Sequence, residues 1–238
     1  MSGQFILSAE STVDLPWPYV SGRNIPILFY KYYIRGQEFI DDMGKDPTSL
    51  PEFYKLLETD LPTTTQVNEF EYREFFGELL KQGDVLHMCF GTGMTQSYRN
   101  AEKAADELRK EYPERKLYVM DTLCISGGLG LLVENMVRRQ EAGMSFDDVI
   151  AWGEENKLRI AHRFTVDDLN YLKAGGRVSN ASALVGSILS IKPVLYVPDR
   201  GTLDVAKKVR GRKAALNAIL SGILHDLAAV DCTGTEIH

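Results

Sequence analysis

The sequence predicts an α/β fold in two domains, and three observations carry that prediction. From Phe5 to Asn156, short apolar runs rich in β-formers alternate with stretches of helical period, the rhythm of a mostly parallel sheet with flanking helices. The last third changes character. Two β-rich runs there flank Pro198-Asp199-Arg200-Gly201, an antiparallel pattern that points to a second, smaller α/β domain. The length, 238 residues, suffices for one large domain or two small ones with cores of their own. The expected domains are 1–158 and 159–238.

Phe5-Ile6-Leu7 reads as the first strand, followed by a polar turn at Glu10-Ser11-Thr12. Asn24 to Tyr33 has the alternation of a second strand. Pro47 to Glu58 is expected to be helical, with Pro51 early, where a missing N–H costs little. Leu61 to Gln66 reads as an irregular turn. Glu69 to Lys81 reads as a helix, with Phe70, Phe75, Phe76, Leu79 and Leu80 near helical spacing. Val85 to Phe90 is a buried-strand pattern, Gly91 to Thr95 a turn, and Gln96 to Glu111 a helix with its alanines on one side. Leu117 to Met120 reads as a strand, and Ile125 to Arg139 and Phe146 to Asn156 as helices. Beyond them, Ile160 to Val166 is strand-like, and Asp167 to Lys173 gives one or two helical turns stopped by Gly175-Gly176. Ser182 to Leu189 is a helix pattern, Ile191 to Val197 and Thr202 to Val209 form the hairpin, and Lys213 to Leu227 is a last helix.

Composition removes several classes of function. At 44% apolar and 25% charged, the chain is neither disordered nor collagen-like nor a coiled-coil rod. A net charge of −6 argues against a dedicated nucleic-acid binder. No apolar run is long enough to span a bilayer, and no signal-peptide pattern opens the chain. Cys89, Cys124 and Cys232 are odd in number and widely spaced, which fits a reducing compartment, so a cytoplasmic protein is expected. None of His87, His162, His225 and His238 pairs with another His or a Cys at metal-ligand spacing, so neither a metal nor a cofactor is expected. There is no phosphate-cradling G-x-x-x-x-G-K-[ST] and no G-x-S-x-G nucleophile elbow. Gly128-Leu129-Gly130 shows two glycines of a dinucleotide fingerprint, but Val133 stands in the third place. Close helix packing is the preferred reading of that pair.

The most chemical segment is Val85 to Arg99, where a strand enters a Gly-Thr-Gly turn and then a helix. A helix N-terminus offers unpaired N–H groups and partial positive charge, and Thr92, Thr95 and Ser97 add hydroxyls, a set suited to a carboxylate or phosphate. The plainer alternative is that Thr95 caps the helix. Thr63-Thr64-Thr65-Gln66 and Glu10-Ser11-Thr12 are further hydroxyl-rich turns with the same two readings. All three lie near strand ends, where open α/β sheets bind ligands. Arg200 to Lys213 carries six cations against Asp204 alone. It is either a solvated hairpin or a docking surface for an acidic partner or a phosphate, with Arg177 as a companion.

Several stretches resemble the DegV family of bacterial lipid-binding proteins. Ser11-Thr12-Val13-Asp14-Leu15-Pro16 is similar to its S-T-x-D-L-P, and Thr63 to Asn68 to its T-T-S-Q-V-N. Gly93 to Tyr98 resembles G-[LM]-[ST]-G-[ST]-Y, and Asp167 through Arg177 resembles D-D-L-x-x-L-x-x-G-G-R. Ser179 through Pro193 and Lys208 to Lys213 are similar to S-x-A-S-A-L-x-G-S-x-L-x-I-K-P and K-V-R-G-R-K. The chain departs from the pattern at Glu10, usually Asp, at Gly91, usually Ser, and at Gln96, usually Gly. The resemblance implies a long-chain fatty acid bound between two α/β domains, its carboxylate held by Thr64, Thr65, Thr92 and the backbone at Gly93. It implies a carrier with no catalytic residue of its own, which presents that carboxylate to the catalytic subunit of a fatty-acid kinase. Arg177 and Arg210 match arginines facing that partner. Typical members run further at the C-terminus, so the second domain is expected to be incomplete. The alternative is an enzyme acting on a small carboxylated or phosphorylated substrate.

Overall fold

The computed structural model describes residues 5–167, 172, 175–177 and 191–228. The expected 182–189 helix and most of the 167–173 turns lie outside them. Two units divide the chain, Met1–Lys157 and Leu158–His238.

Among the described residues, seven strands build the first unit: β1 (Ile6–Glu10), β2 (Ile27–Leu28), β3 (Lys31–Ile34), β4 (Gln37–Ile40), β5 (Thr63–Thr65), β6 (Val85–Cys89) and β7 (Leu117–Asp121). Its helices are α1 (Trp17–Gly22), α2 (Ser49–Leu57), α3 (Glu69–Leu80), α4 (Ser97–Glu111), α5 (Ser126–Glu141) and α6 (Phe146–Asn156). The main sheet is all parallel in the order β2-β1-β6-β7. Parallel neighbours need crossover connections, which the helices supply. β6 is buried at every residue, as a central strand covered on both faces must be. Tyr72, Phe76 and Leu80 from α3 and Ala101, Ala104 and Leu108 from α4 pack in one core with Val85, Cys89 and Val119.

Local chemistry fixes the helix starts. Asn68 Oδ1 accepts from the Glu71 N–H at 2.9 Å, and the Glu71 carboxylate accepts from the Asn68 N–H at 3.1 Å, a reciprocal capping box for α3. Ser145 caps α6 through the Asp148 N–H. Gly130 is where α5 meets the turn Ser11–Val13: a Cβ there would lie 2.7 Å from the Val13 carbonyl oxygen. Gly130 therefore serves close packing.

Two expectations need correction. Asn24 to Tyr33 is not one strand: β2 joins the parallel sheet, whereas β3 belongs to a separate antiparallel sheet, β4-β3-β5. Arg35 (φ 53°) and Gly36 (φ 77°) turn β3 into β4 with two left-handed residues, the geometry that matches strand twist in a tight hairpin. Thr63 to Thr65 is not an irregular turn. These β-branched residues pair with Tyr33, Tyr32 and Lys31, because a threonine fits a pleated edge as readily as a loop.

The second unit has an antiparallel sheet, β10-β9-β8, made of β8 (Arg163–Thr165), β9 (Ile191–Tyr196) and β10 (Asp204–Arg210), followed by α7 (Arg212–Ala228). The expected hairpin turn is present, with Gly201 at φ 73° and its N–H bonded to the Pro198 carbonyl at 2.8 Å. Arg163 on β8 holds Asp226 on α7 through two bonds of 2.9 Å. Gly222 makes room for that guanidinium, since a Cβ there would meet Arg163 Nε at 3.2 Å.

Gly130→Ala is expected to lower stability by about 1–3 kcal/mol, because backbone rather than a flexible side chain opposes the added methyl. Gly127→Ala, with nothing near its added Cβ, is the control in chemical denaturation. The Arg163 bond holds the Asp226 carboxyl below its ordinary value of 3.8. The stability it contributes is therefore present above that pH and is lost as pH falls through the lowered value. Thermal melts should show Asp226→Asn costing about 1 kcal/mol at pH 7, and the gap from the unchanged protein should close in acid.

Candidate functional site

The first unit contains an apolar pocket of about 310 Å³. Tyr30, Tyr32, Leu50 and Phe53 supply its walls, and Thr12, Ser49 and Thr64 add aliphatic hydroxyls. It sits where the small antiparallel sheet and α2 meet the end of β1. Tyr32 stacks on Phe39 at 5.3 Å and meets Phe53 edge-on at 5.1 Å, so the wall is rigid and aromatic. Thr12 Oγ1 is buried and has no hydrogen-bond partner among the described residues. A buried hydroxyl without a partner costs free energy unless something fills the need.

Asp42 braces the rim. Its carboxylate accepts from the Gly44 N–H (2.9 Å), the Asp46 N–H (3.0 Å) and Ser49 Oγ (2.7 Å). Burial opposes the charge, but these bonds outweigh it and hold the carboxyl below its usual range. Asp42 and Ser49 both line the pocket.

The structure divides the carboxylate-binding residues expected from the sequence. Thr64 lines the pocket; Thr65, its neighbour on β5, belongs to the opposite face by strand alternation. Thr92 has both of its donors committed elsewhere. Its N–H reaches Asp121 Oδ1 at 3.1 Å and its hydroxyl donates to Asp121 Oδ2 at 2.6 Å. Gly93 sits in the turn that the Met94 N–H closes onto the Gly91 carbonyl at 2.9 Å. Gly91 owes its small size to the chain itself, since a Cβ would lie 2.9 Å from the Leu123 carbonyl carbon. Thr95 Oγ1 accepts from the Ser97 N–H at 3.2 Å and so serves the start of α4.

Beside the pocket lies a buried polar cluster that the sequence did not reveal. Glu10, at the end of β1, is fully buried. Its Oε2 accepts from the Phe90 N–H at 2.8 Å and the Tyr30 hydroxyl at 3.2 Å, and its Oε1 accepts from the Tyr72 hydroxyl. Burial and then the Glu10 charge push both phenols and the Cys89 thiol well above their ordinary values. The ligand-type atoms of Glu10, His87 and Cys89 all lie within 4.8 Å of one another.

In the second unit Arg177 follows Gly176, which holds φ 71°, and donates to the Gly175 carbonyl; Arg210 closes β10. Both are exposed. Within the basic stretch, Arg200 pairs with Asp204, and Arg212 with Asp167 at 2.8 Å. No helix among the described residues is long and apolar enough to cross a membrane.

The parallel sheet, the added antiparallel sheet and the hydroxyl-bearing apolar pocket define an α/β protein of two units with an apolar cavity in the first. The chain belongs to the DegV family, described as a family of uncharacterised proteins, which it matches over residues 6–231. A DegV domain-containing protein of Clostridium perfringens is 38% identical over 217 residues, covering 91% of this chain and 75% of the relative. A DegV-family protein of Thermus thermophilus, described as binding fatty acid, is 30% identical with a TM-score of 0.80 over 94% of this chain and 78% of its own. A stearic-acid-binding protein of Eubacterium ventriosum is 25% identical with a TM-score of 0.83, covering 94% and 77%.

Asp121→Asn should release the Thr92 hydroxyl and loosen the turn after β6. We expect a stability loss of about 1–3 kcal/mol and faster amide hydrogen exchange at Thr92. Exchange unchanged at Thr92 would show that the turn is held by other contacts.

Proposed function

We propose that the protein binds a long-chain fatty acid and presents its carboxylate to a separate kinase subunit, carrying no catalytic residue itself. The observation that supports this best is the apolar pocket bearing Thr64 and the unpartnered Thr12 hydroxyl. Aromatic and aliphatic walls bearing threonine hydroxyls suit an acyl chain ending in an acid. The fatty acids bound by the Thermus and Eubacterium relatives support the same ligand class.

Burying an acyl chain yields about 0.8 kcal/mol per methylene, or roughly 12 kcal/mol gross for about fifteen of them, before entropy costs. The apolar walls thus set most of the affinity. Each hydrogen bond to the carboxylate adds about 1.5–3 kcal/mol and fixes where the head group points. In this reading Thr12 and Thr64 donate to the carboxylate, and Thr65, on the opposite face of β5, takes no part. Thr92 and the Gly93 backbone join when Asp121 gives up the Thr92 hydroxyl. Phosphoryl transfer depends largely on positioning and charge stabilisation, so a carrier can hold the acceptor while a partner supplies the nucleotide site. Arg177 and Arg210 are proposed to face that partner.

Native mass spectrometry of the purified protein should show a copurified fatty acid, removable by organic extraction and restored on reloading. Thr12→Val and Thr64→Val should each weaken binding roughly 10- to 100-fold. Arg177→Glu or Arg210→Glu should leave binding unchanged and lower phosphorylation of the bound acid by the kinase subunit. A lipid-free protein that takes up no fatty acid would overturn the reading.

A further inference from the structure

The cluster beside the pocket has the composition of a metal site. Ser8 pairs with His87 in the parallel register of β1 and β6, so Glu10 and Cys89, two residues further along each strand, fall on the same face. Glu10, His87 and Cys89 are all buried, with one ligand atom each within 4.8 Å of the others. His87 Nδ1 lies 2.9 Å from Ser8 Oγ, which fixes the ring, as the outer hydrogen bond of a metal-bound imidazole does. Its other nitrogen, Nε2, is buried without a hydrogen-bond partner among the described residues. That nitrogen stands 3.7 Å from Glu10 Oε1.

Neither neutral tautomer satisfies this geometry. With the proton on Nδ1, the bare Nε2 lone pair faces a carboxylate oxygen. With the proton on Nε2, the oxygen is too far for a hydrogen bond. A cation between the two atoms satisfies both. We propose that Glu10, His87 and Cys89 form a buried site for a divalent transition-metal ion of the zinc type. A nitrogen, a thiolate sulfur and a carboxylate oxygen are the donor set of zinc, whereas calcium and magnesium take oxygen ligands. The Phe90 N–H and the Tyr30 hydroxyl hold Glu10 Oε2, which leaves Oε1, with the Tyr72 hydroxyl on it, turned toward His87. Phe76 and Phe75 ring centroids lie 4.9 and 5.8 Å from that of His87, so the surroundings are dry. On binding, the Cys89 S–H bond breaks, a sulfur–metal bond forms, and the proton leaves to the buffer. The site does not depend on the fatty-acid reading.

The test uses the full chain, stripped of metal with a chelator and titrated with cobalt(II), then zinc. One equivalent of cobalt should bind, giving a thiolate-to-cobalt charge-transfer band, and zinc should displace it. Zinc should also raise the melting temperature of the unaltered chain, a readout that needs no variant to fold. Cys89→Ala should abolish the charge-transfer band, His87→Gln should weaken zinc binding at least about tenfold, and Cys124→Ala should change neither. Absence of stoichiometric cobalt binding to the unaltered chain would overturn the proposal. So would a band that survives Cys89→Ala, or metal uptake with no thiolate band and no change in melting temperature.

Discussion

A carboxyl group in the interior is the constraint on which the first unit turns. Glu10 ends β1 with no exposure to solvent, and an uncompensated charge there would cost several kcal/mol. Its donors come from three other segments: the Phe90 N–H just past β6, the Tyr30 hydroxyl between β2 and β3, and the Tyr72 hydroxyl on α3. Satisfying one acid therefore fixes where the parallel sheet ends, where the second sheet begins and how α3 lies across both. Tyr30 is also a wall of the pocket. The shape of the cavity is thus tied to a polar contact rather than to apolar packing alone.

The parallel sheet and its helices were legible because their signal is local. A buried run such as Val85 to Cys89 and an amphipathic one such as Ser97 to Glu111 declare themselves within a few residues. The small sheet was not legible. Its middle strand follows β2 after only two residues, and its third strand is three threonines that equally suit a turn. Residues far apart in sequence were harder still. Thr92 looked free to bind an anion, but Asp121 at the end of β7 takes both of its donors. His87 and Cys89 looked unrelated to any acid until register placed Glu10 against them. The signal that could have exposed this was the alternation of His87 and Cys89 along one strand face. It carried weight only once the partner strand was known.

Of the carboxylate-binding residues expected from the sequence, the structure brings Thr64 alone to the lining of the apolar hollow. Thr12 was one of several equivalent turn residues in the sequence; its burial without a partner sets it apart. Thr64 stands out because β5 turns it toward the hollow. The second unit contributes exposed basic residues on a hairpin and after a glycine turn; Arg200 and Arg212 are paired with acids, and Arg177 donates to a backbone carbonyl. Under the proposed function the two units divide the work: one selects the ligand, the other supplies charge for a partner.

The Asp42 brace has a kinetic meaning. Its three hydrogen bonds set the loop from Asp42 to Ser49 in place from within, using contacts that need no ligand. Under the proposed function, little order then remains to be imposed when an acyl chain enters, so the rim would act as a fixed doorway rather than a closing flap. Escape is then governed by drawing the chain back into water. At about 0.8 kcal/mol per methylene, each added carbon lengthens residence roughly fourfold. In that reading a rigid mouth makes chain length a timer, holding longer acids for a slow encounter with the proposed partner and releasing shorter ones first.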